Sequence, residues 1–179
     1  MAQGRVAALT AIAATVPLQL LAAVIGFPSR DPVAATGMGV IAAPTATVGL
    51  TTLTSPPGST SPGLGVLLIT AGTAMLVPAA AATTTPVPAT GMATAGIRFA
   101  VIGIYQLTGS TSWQTAAGLV GLVLGALALY AALALELEGA QGRTVLPLGR
   151  RGAAEDAVQG RAPLSVTELA HEPGVRPQL

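Results

Sequence analysis

The chain has 179 residues, of which 51% are hydrophobic and only 8% are charged, and its mean hydropathy is +0.70. A soluble domain carries roughly 25% charged residues, so this composition excludes an ordinary water-soluble fold and predicts a membrane protein. The net charge is +1, the basic residues are all scattered arginines, and there is no cysteine. These features exclude a nucleic-acid-binding surface, disulfides and thiolate metal sites.

Apolar stretches of about the 20 residues that a bilayer core requires divide the chain into predicted transmembrane helices. Each stretch ends at a cluster of turn-forming residues, such as PSRDP after the first and TSPPGSTSPG after the second. The five predicted spans are residues 6–27, 33–53, 64–82, 89–107 and 113–135. None has the charged face of a soluble amphipathic helix, so the predicted fold class is an all-α polytopic transmembrane bundle.

The first span has a competing interpretation as a cleaved signal peptide, because Arg5 precedes it and alanine is abundant. Its apolar run is longer than the roughly 7–15 residues of a signal-peptide core. No clean small-x-small cleavage site precedes a soluble mature domain. The sequence therefore favours a retained span.

The arginines of the short loops predict the orientation, because positively charged loops stay in the cytoplasm. Arg143, Arg150 and Arg151 follow the fifth span, and Arg30 lies in the turn between the first two, whereas Arg5 favours the opposite orientation. The balance places the C-terminus in the cytoplasm. Abundant alanine, glycine, proline and arginine without lysine or asparagine is typical of GC-rich bacterial genomes, so the predicted location is a bacterial plasma membrane.

A single formal charge, Arg98, lies well inside a predicted span. A charge at the bilayer centre costs about 2.5–3.5 kcal/mol on insertion scales, which makes this arginine a functional hypothesis. At about 100° per residue, small and polar residues share its helix face, namely Gly91, Thr94, Tyr105 and Thr108. A cation among hydroxyls attracts an anion in a pore, so Arg98, Thr94 and Tyr105 are predicted to bind substrate.

A structural interpretation of the same residues stays open at this point. Arg98 then bonds to backbone carbonyls or extends to the interface and only ties helices together, while Tyr105 belongs to an aromatic belt with Trp113. No carboxylate lies inside a span to pair with Arg98, since Glu136 and Glu138 come at the very end of the fifth. An unpaired cation favours an anionic ligand over a structural salt bridge.

Prolines and small residues inside the spans influence helix shape and packing. The prolines are Pro17, Pro44 and Pro78. Each frees a backbone carbonyl that needs another partner, and Gln19 is close enough in sequence to supply one. In the fifth span Ala117, Gly121 and Gly125 form a small-xxx-small ridge, which predicts a helix-packing face within the subunit or between subunits.

Residues 139–179 are predicted to form a disordered cytoplasmic tail, with one short helical turn near residues 166–170, because they hold most of the charges and little periodic apolar pattern. The single histidine, His171, has no partner at ligand spacing, so no metal site is predicted. The sequence has no phosphate-binding loop, no dinucleotide glycine motif and no intramembrane acid–base pair. The prediction is therefore a protein that is not an enzyme and needs no cofactor.

Several segments resemble the acetate uptake transporter family, the YaaH-like group of small bacterial and fungal membrane proteins. The resemblance is carried by YQLTG before the last helix, by the pattern AAGxVGxxxxxxALYxALALELE within it and by GRTVLPLG after it. VPLQLLAAVIGF with RDPVAATGMG, and LTSPPGSTSPGLGVLL, are also similar to family members. Together these segments cover most of residues 12–149.

The resemblance implies a subunit of six helices with both termini in the cytoplasm, assembled as a homohexamer in which each subunit has its own pore for acetate and related small carboxylates. It also implies a role for Tyr130, which occupies the place of an aromatic residue near the end of the last helix. Two features depart from the family. The chain has no asparagine and therefore lacks the Asn-Pro-Ala-Pro-Leu-Gly type motif that family members carry in the first helix. It also has five predicted spans where the family has six helices, and the one without a counterpart is the first.

Two functional hypotheses follow from the sequence. The first is a transporter or channel for short-chain carboxylates, with or without proton coupling, in which the substrate-binding residues are Arg98, Thr94, Tyr105 and Tyr130. Its partners are small carboxylate anions, the lipid bilayer and further copies of the chain, with no nucleic acid. The second is a non-transporting membrane scaffold or assembly subunit, whose arginine-bearing tail contacts anionic lipid or a partner.

Overall fold

The computed structural model describes residues 2–29, 31–82, 84–152 and 155, and these residues form helices and connecting turns without any strand. The helices are α1 (Ala2–Thr10), α2 (Val16–Gly26), α3 (Pro32–Thr54), α4 (Pro62–Ala74), α5 (Leu76–Ala81), α6 (Pro86–Thr108) and α7 (Thr111–Gln141). Within the described residues, five helical stretches are long and apolar enough to cross a membrane: Gly4–Gly26, Pro32–Thr54, Pro62–Ala81, Pro86–Thr108 and Thr111–Gln141. The predicted all-α polytopic membrane bundle is therefore confirmed.

Prolines and capping side chains set where the middle helices begin. Helices α3, α4 and α6 each have a proline in the first turn, where a missing N–H group costs no helical hydrogen bond. The Asp31 side chain accepts a hydrogen bond from the Ala34 N–H group at 2.9 Å and caps α3. The turn clusters that divide the sequence into spans therefore also start the helices.

Two of the spans are irregular beside a proline. Between α1 and α2, residues Ala11–Thr15 form a π-helical turn, in which the Val16 N–H group donates to the Ala11 carbonyl. Pro17 follows directly and has no N–H group to continue the ordinary pattern. In the third span the helix breaks at Met75, between α4 and α5, because Pro78 leaves the Ala74 carbonyl without its helical partner.

Threonine hydroxyls inside the spans are satisfied by their own helices. In α3, for example, the Thr47 and Thr51 hydroxyls donate to carbonyls four residues earlier, at 2.9 and 2.7 Å. The same bond recurs at Thr70 in α4 and at Thr94 in α6. Because a hydroxyl without a partner in hydrocarbon is costly, this arrangement lets threonine-rich segments remain transmembrane helices.

Helices α4 and α6 approach each other closely through two pairs of glycines, which we call the glycine seam (Gly65 with Gly103, Gly72 with Gly96). A Cβ atom added at Gly72 would lie 2.6 Å from the Gly96 carbonyl oxygen, and one added at Gly103 would lie 2.7 Å from the Gly65 carbonyl oxygen. Small residues at such positions allow backbones to touch. Around the seam the buried core consists of Leu64, Leu68, Met75, Ala95 and Phe99.

The remaining spans are added to the two sides of this central pair. Helix α3 packs against α2 and α4, and α7 packs against α6. In its most apolar window the first span is 11% buried and the last is 6% buried, against 33% for the third. Among the described residues the first and last spans are thus the outermost, and their apolar side chains face outward.

The predicted tail needs a correction at its beginning. The transmembrane domain was predicted to end at Glu138, but α7 continues to Gln141 and ends at Gly142, whose φ of +62° reverses the chain. Residues 142–152, which we call the C-terminal strap, then fold back onto the bundle, where Leu148 is only 2% exposed. Apolar residues within GRTVLPLG drive this packing. The predicted turn at residues 166–170, His171 and the loop arginine Arg30 lie outside the described residues.

The glycine seam predicts a large difference between two identical substitutions. Gly72→Ala forces a methyl group against the Gly96 carbonyl oxygen, and overpacking of this kind costs about 1–3 kcal/mol. The matched control is Gly118→Ala in α7, where an added Cβ has nothing within 4 Å. We expect a lower unfolding free energy for Gly72→Ala alone, measured by denaturant titration in lipid nanodiscs. Equal stability of the two variants would contradict the seam.

Candidate functional site

A cavity of about 970 Å³ lies between the first span, α3, α6 and α7. At one end it is lined by residues just before α3 and α6, including Asp31 and Thr85, and by Leu148 near the C-terminal end of the described chain; we call this end its mouth. Its inner end is lined by Thr45 and Arg98, each about 18–20 Å along its helix from the mouth at 1.5 Å per residue. The cavity therefore runs from one end of the bundle to the middle of the spans.

Arg98 lies at the inner end without a partner. Its Nε atom is buried and has no hydrogen bond, and no ion pair or hydrogen bond joins this arginine to another residue in the described part of the chain. Its side chain passes over Gly121 of α7, where an added Cβ would lie 2.8 Å from Nε. A buried donor without an acceptor is rare in proteins, so this position calls for an acceptor from a ligand or water.

Gln19 is a second polar group with an unsatisfied atom in the cavity. Its Oε1 atom is buried without a hydrogen-bond partner, and its side chain lines the wall formed by α2. The sequence suggested it as a partner for a carbonyl freed by Pro17, but the described bonds include none from Gln19 to that region. Gln19 thus adds an uncharged polar group to the cavity that contains Arg98.

The four residues predicted to bind substrate do not come together. Of these, Arg98 lines the cavity, whereas Thr94, Tyr105 and Tyr130 are not among its lining residues. The Thr94 hydroxyl donates to the Thr90 carbonyl at 2.7 Å, so its proton is already used. Tyr105 lies two turns beyond Arg98, past the inner end of the cavity. Thr94 lies within the length of the cavity but at the edge of the lined face of α6, and helical spacing alone does not reveal where that edge falls.

Tyr130 instead holds the C-terminal strap in place. Its hydroxyl donates to the Pro147 carbonyl at 2.8 Å. The strap is also held by an ion pair between Arg150 and Glu138 and by a hydrogen bond from the Arg151 N–H group to the Thr84 carbonyl at 3.0 Å. Leu148 and Arg150 line the cavity. The strap therefore covers part of the mouth.

Two nearly identical segments, which the sequence interpretation did not include, contribute to the walls of the cavity. Residues 32–38 read PVAATGM and residues 86–92 read PVPATGM, each at the start of a helix. Both contribute lining residues, and Met92 packs against Gly37, where an added Cβ would lie 3.2 Å from the methionine Cε. The internal repeat was the sequence signal that could have identified these walls.

The small-residue ridge of α7 turns out to have two different surroundings. Ala117 is buried and Gly121 lies against the Arg98 side chain. By contrast, an added Cβ at Gly125 would have nothing within 4 Å. Gly121 therefore makes room for the Arg98 side chain. The ridge as a whole does not form one continuous contact between helices.

Chemically, the cavity holds one unpaired cation, Arg98, between mostly apolar walls. Most of its lining is aliphatic or aromatic, including Met38, Ile41, Met92 and Phe99. No cluster of three or more metal-ligating side chains occurs within the described ranges. No protein-family model, curated protein or solved structure matches the chain.

The C-terminal strap predicts protection of Leu148. Because the native chain has no cysteine, Leu148→Cys provides a single thiol whose maleimide labelling reports opening of the strap. Adding Tyr130→Phe removes one hydrogen bond worth about 1 kcal/mol net, so we expect labelling to become roughly fivefold faster. Val145→Cys, at a position that is 38% exposed, should label quickly with or without Tyr130→Phe. If Leu148→Cys labels at the same rate with and without Tyr130→Phe, the hydrogen bond from Tyr130 does not hold the strap closed.

Proposed function

We propose that this protein is a membrane transporter for carboxylate anions and that Arg98 binds the carboxylate inside the cavity. The observation that carries this proposal is an unpaired, half-buried guanidinium at the inner end of a cavity that reaches one end of the bundle. A planar guanidinium matches the geometry of a carboxylate and forms charge-assisted hydrogen bonds with it. In this low-dielectric setting, a bound anion offsets the cost of the buried charge.

The shape of the cavity favours a carrier over a permanently open channel. Its lining residues on α6 end at Phe99 and those on α3 end at Thr45, so the cavity does not continue to the opposite end of these helices. A site at mid-membrane depth, open to one side, is the arrangement that alternating-access carriers use. In the proposed cycle, the anion enters from the mouth, binds at Arg98 and leaves after the opposite side opens.

The proposal includes further parts that derive from the sequence. The substrates are acetate and related short-chain carboxylates, as the resemblance to the acetate uptake transporter family implies. The protein functions in a bacterial plasma membrane with the cavity mouth and the C-terminus on the cytoplasmic side, as a homo-oligomer that is a hexamer by resemblance. Proton coupling would allow an anion to accumulate against the membrane potential.

The central test is uptake of labelled acetate into proteoliposomes. We expect the parent chain to show saturable uptake and Arg98→Gln to raise the half-saturating concentration roughly tenfold or more, because a hydrogen bond to a charged group contributes about 1.5–3 kcal/mol. Arg143→Gln is the matched control, since Arg143 is exposed in the C-terminal strap and does not line the cavity. Both variants are first compared with the parent for folding and assembly.

The two outcomes of this test point to different functions. A half-saturating concentration that rises in Arg98→Gln and stays unchanged in Arg143→Gln supports a carboxylate pathway through the cavity. Absence of uptake by the well-folded parent chain favours the scaffold alternative. In that case the assay is repeated with a longer gene start, which separates a scaffold from a transporter that needs an additional N-terminal helix.

Gly121 provides a second, milder test of the same site. Gly121→Ala places a methyl group against Arg98 Nε and should displace the guanidinium, while the flexible side chain limits the effect on stability. We expect the half-saturating concentration to rise roughly fivefold, as it would if one hydrogen bond were weakened by about 1 kcal/mol. Gly125→Ala, with open space around it, should leave uptake unchanged. The same uptake curve for both variants would argue against this position of Arg98.

A further inference from the structure

The size and lining of the cavity point to a more specific ligand than acetate. We propose that it takes a monocarboxylate with a hydrocarbon chain, whose carboxylate binds Arg98 and whose chain lies along α7 toward the mouth. This inference rests on the proposed function and narrows its substrate class. It is carried by the volume of the cavity, by its single inner charge and by a stripe of apolar residues on α7.

The volume of the cavity exceeds what a two-carbon anion can fill. At about 970 Å³ it is at the upper end of the roughly 300–1,000 Å³ range of sites for drug-sized ligands. Acetate at Arg98 would leave walls such as Ile41 and Leu127 facing water or empty space. A hydrocarbon chain removes this apolar surface from water, which is favourable in proportion to the area covered.

The distribution of charge favours one carboxylate group over two. Among the described residues, Arg98 is the cation at the inner end, and the other charged lining residues, Asp31 and Arg150, lie at the mouth. Arg150 is already paired with Glu138, and Asp31 repels an anion and caps α3. A second carboxylate in the middle of the cavity would meet no cation there, only the uncharged Gln19 side chain, so the cost of its desolvation would be poorly compensated.

The lining residues of α7 indicate where the hydrocarbon chain of the ligand lies. They follow helical spacing along one face and are Leu124, Leu127, Ala128, Ala131, Ala132 and Leu135. From the first to the last, this face extends about 16 Å at 1.5 Å per residue. It begins one turn from Gly121, which contacts Arg98, and ends near the mouth. Its alanines leave room for an extended chain beside the helix.

The test compares carboxylates of increasing length, from acetate and butanoate to hexanoate and octanoate, by binding calorimetry on the full chain in phosphatidylcholine nanodiscs. We expect affinity to increase by about fourfold for each added methylene, which corresponds to about 0.8 kcal/mol. Measurements on empty nanodiscs and on the Arg98→Gln variant show how much of the apparent binding is partition of the carboxylate into the lipid. Octyltrimethylammonium, with a similar chain and the opposite charge, should not bind.

A matched pair of substitutions on α7 tests where the hydrocarbon chain of the ligand lies. Ala128→Phe fills the cavity beside the proposed chain and should weaken octanoate binding at least tenfold while acetate binding stays unchanged. Ala126→Phe makes the same exchange on the same helix at an exposed position that does not line the cavity, and it should affect neither ligand. Circular dichroism and size-exclusion chromatography establish that both variants fold like the parent.

The outcomes separate this inference from the proposed function. Length-dependent binding that requires Arg98 and is blocked by Ala128→Phe supports the inference. Equal binding of acetate and octanoate through Arg98 overturns the inference and leaves the proposed transporter intact. Length-dependent binding that persists in Arg98→Gln reflects lipid partition and overturns it as well. No Arg98-dependent binding of any carboxylate overturns both.

Discussion

The backbone contact between α4 and α6 is the constraint on which the rest of the bundle depends. Any side chain at Gly72 would collide with the Gly96 carbonyl oxygen, so the glycines fix how α6 is rotated against α4. Arg98 is two residues beyond Gly96, and at about 100° per residue it points to the opposite side of the helix. The seam therefore turns the arginine away from the core and toward α7 and the cavity.

The sequence predicted those features that depend on the bilayer alone. Span length and turn chemistry identified five transmembrane helices, and the cost of an intramembrane charge identified Arg98. Which side chains line the cavity depends on tertiary packing, and here the sequence was a poorer guide. Thr94 shares the helix face of Arg98, but its hydroxyl bonds within its own helix. Tyr130 was assigned to substrate through the resemblance, yet its hydroxyl holds Pro147, a contact that no helical periodicity encodes.

The repeated segments at residues 32–38 and 86–92 show how an overlooked pattern relates to the cavity. The sequence Gly-Ser-Thr-Ser also recurs, at residues 58–61 and 109–112, in the turns that follow the two helices. The pairs α3 with α4 and α6 with α7 thus have the same order of motifs, which indicates one helical hairpin used twice. Both copies contribute their first turn to the walls of the cavity.

The glycine seam also has a mechanical consequence. At Gly72 and Gly96 the two backbones touch with no long side chain between them that could change rotamer, so we expect α4 and α6 to move as one rigid unit. The first span packs against α3 and α7 packs against α6, and both of these outer spans are mostly exposed to the surroundings of the bundle. The first span also contains a π-helical turn beside Pro17, which is a natural point of bending. We therefore expect the cavity to change shape through movements of the first span and α7, and these two helices are the ones on which bilayer thickness and lateral pressure act.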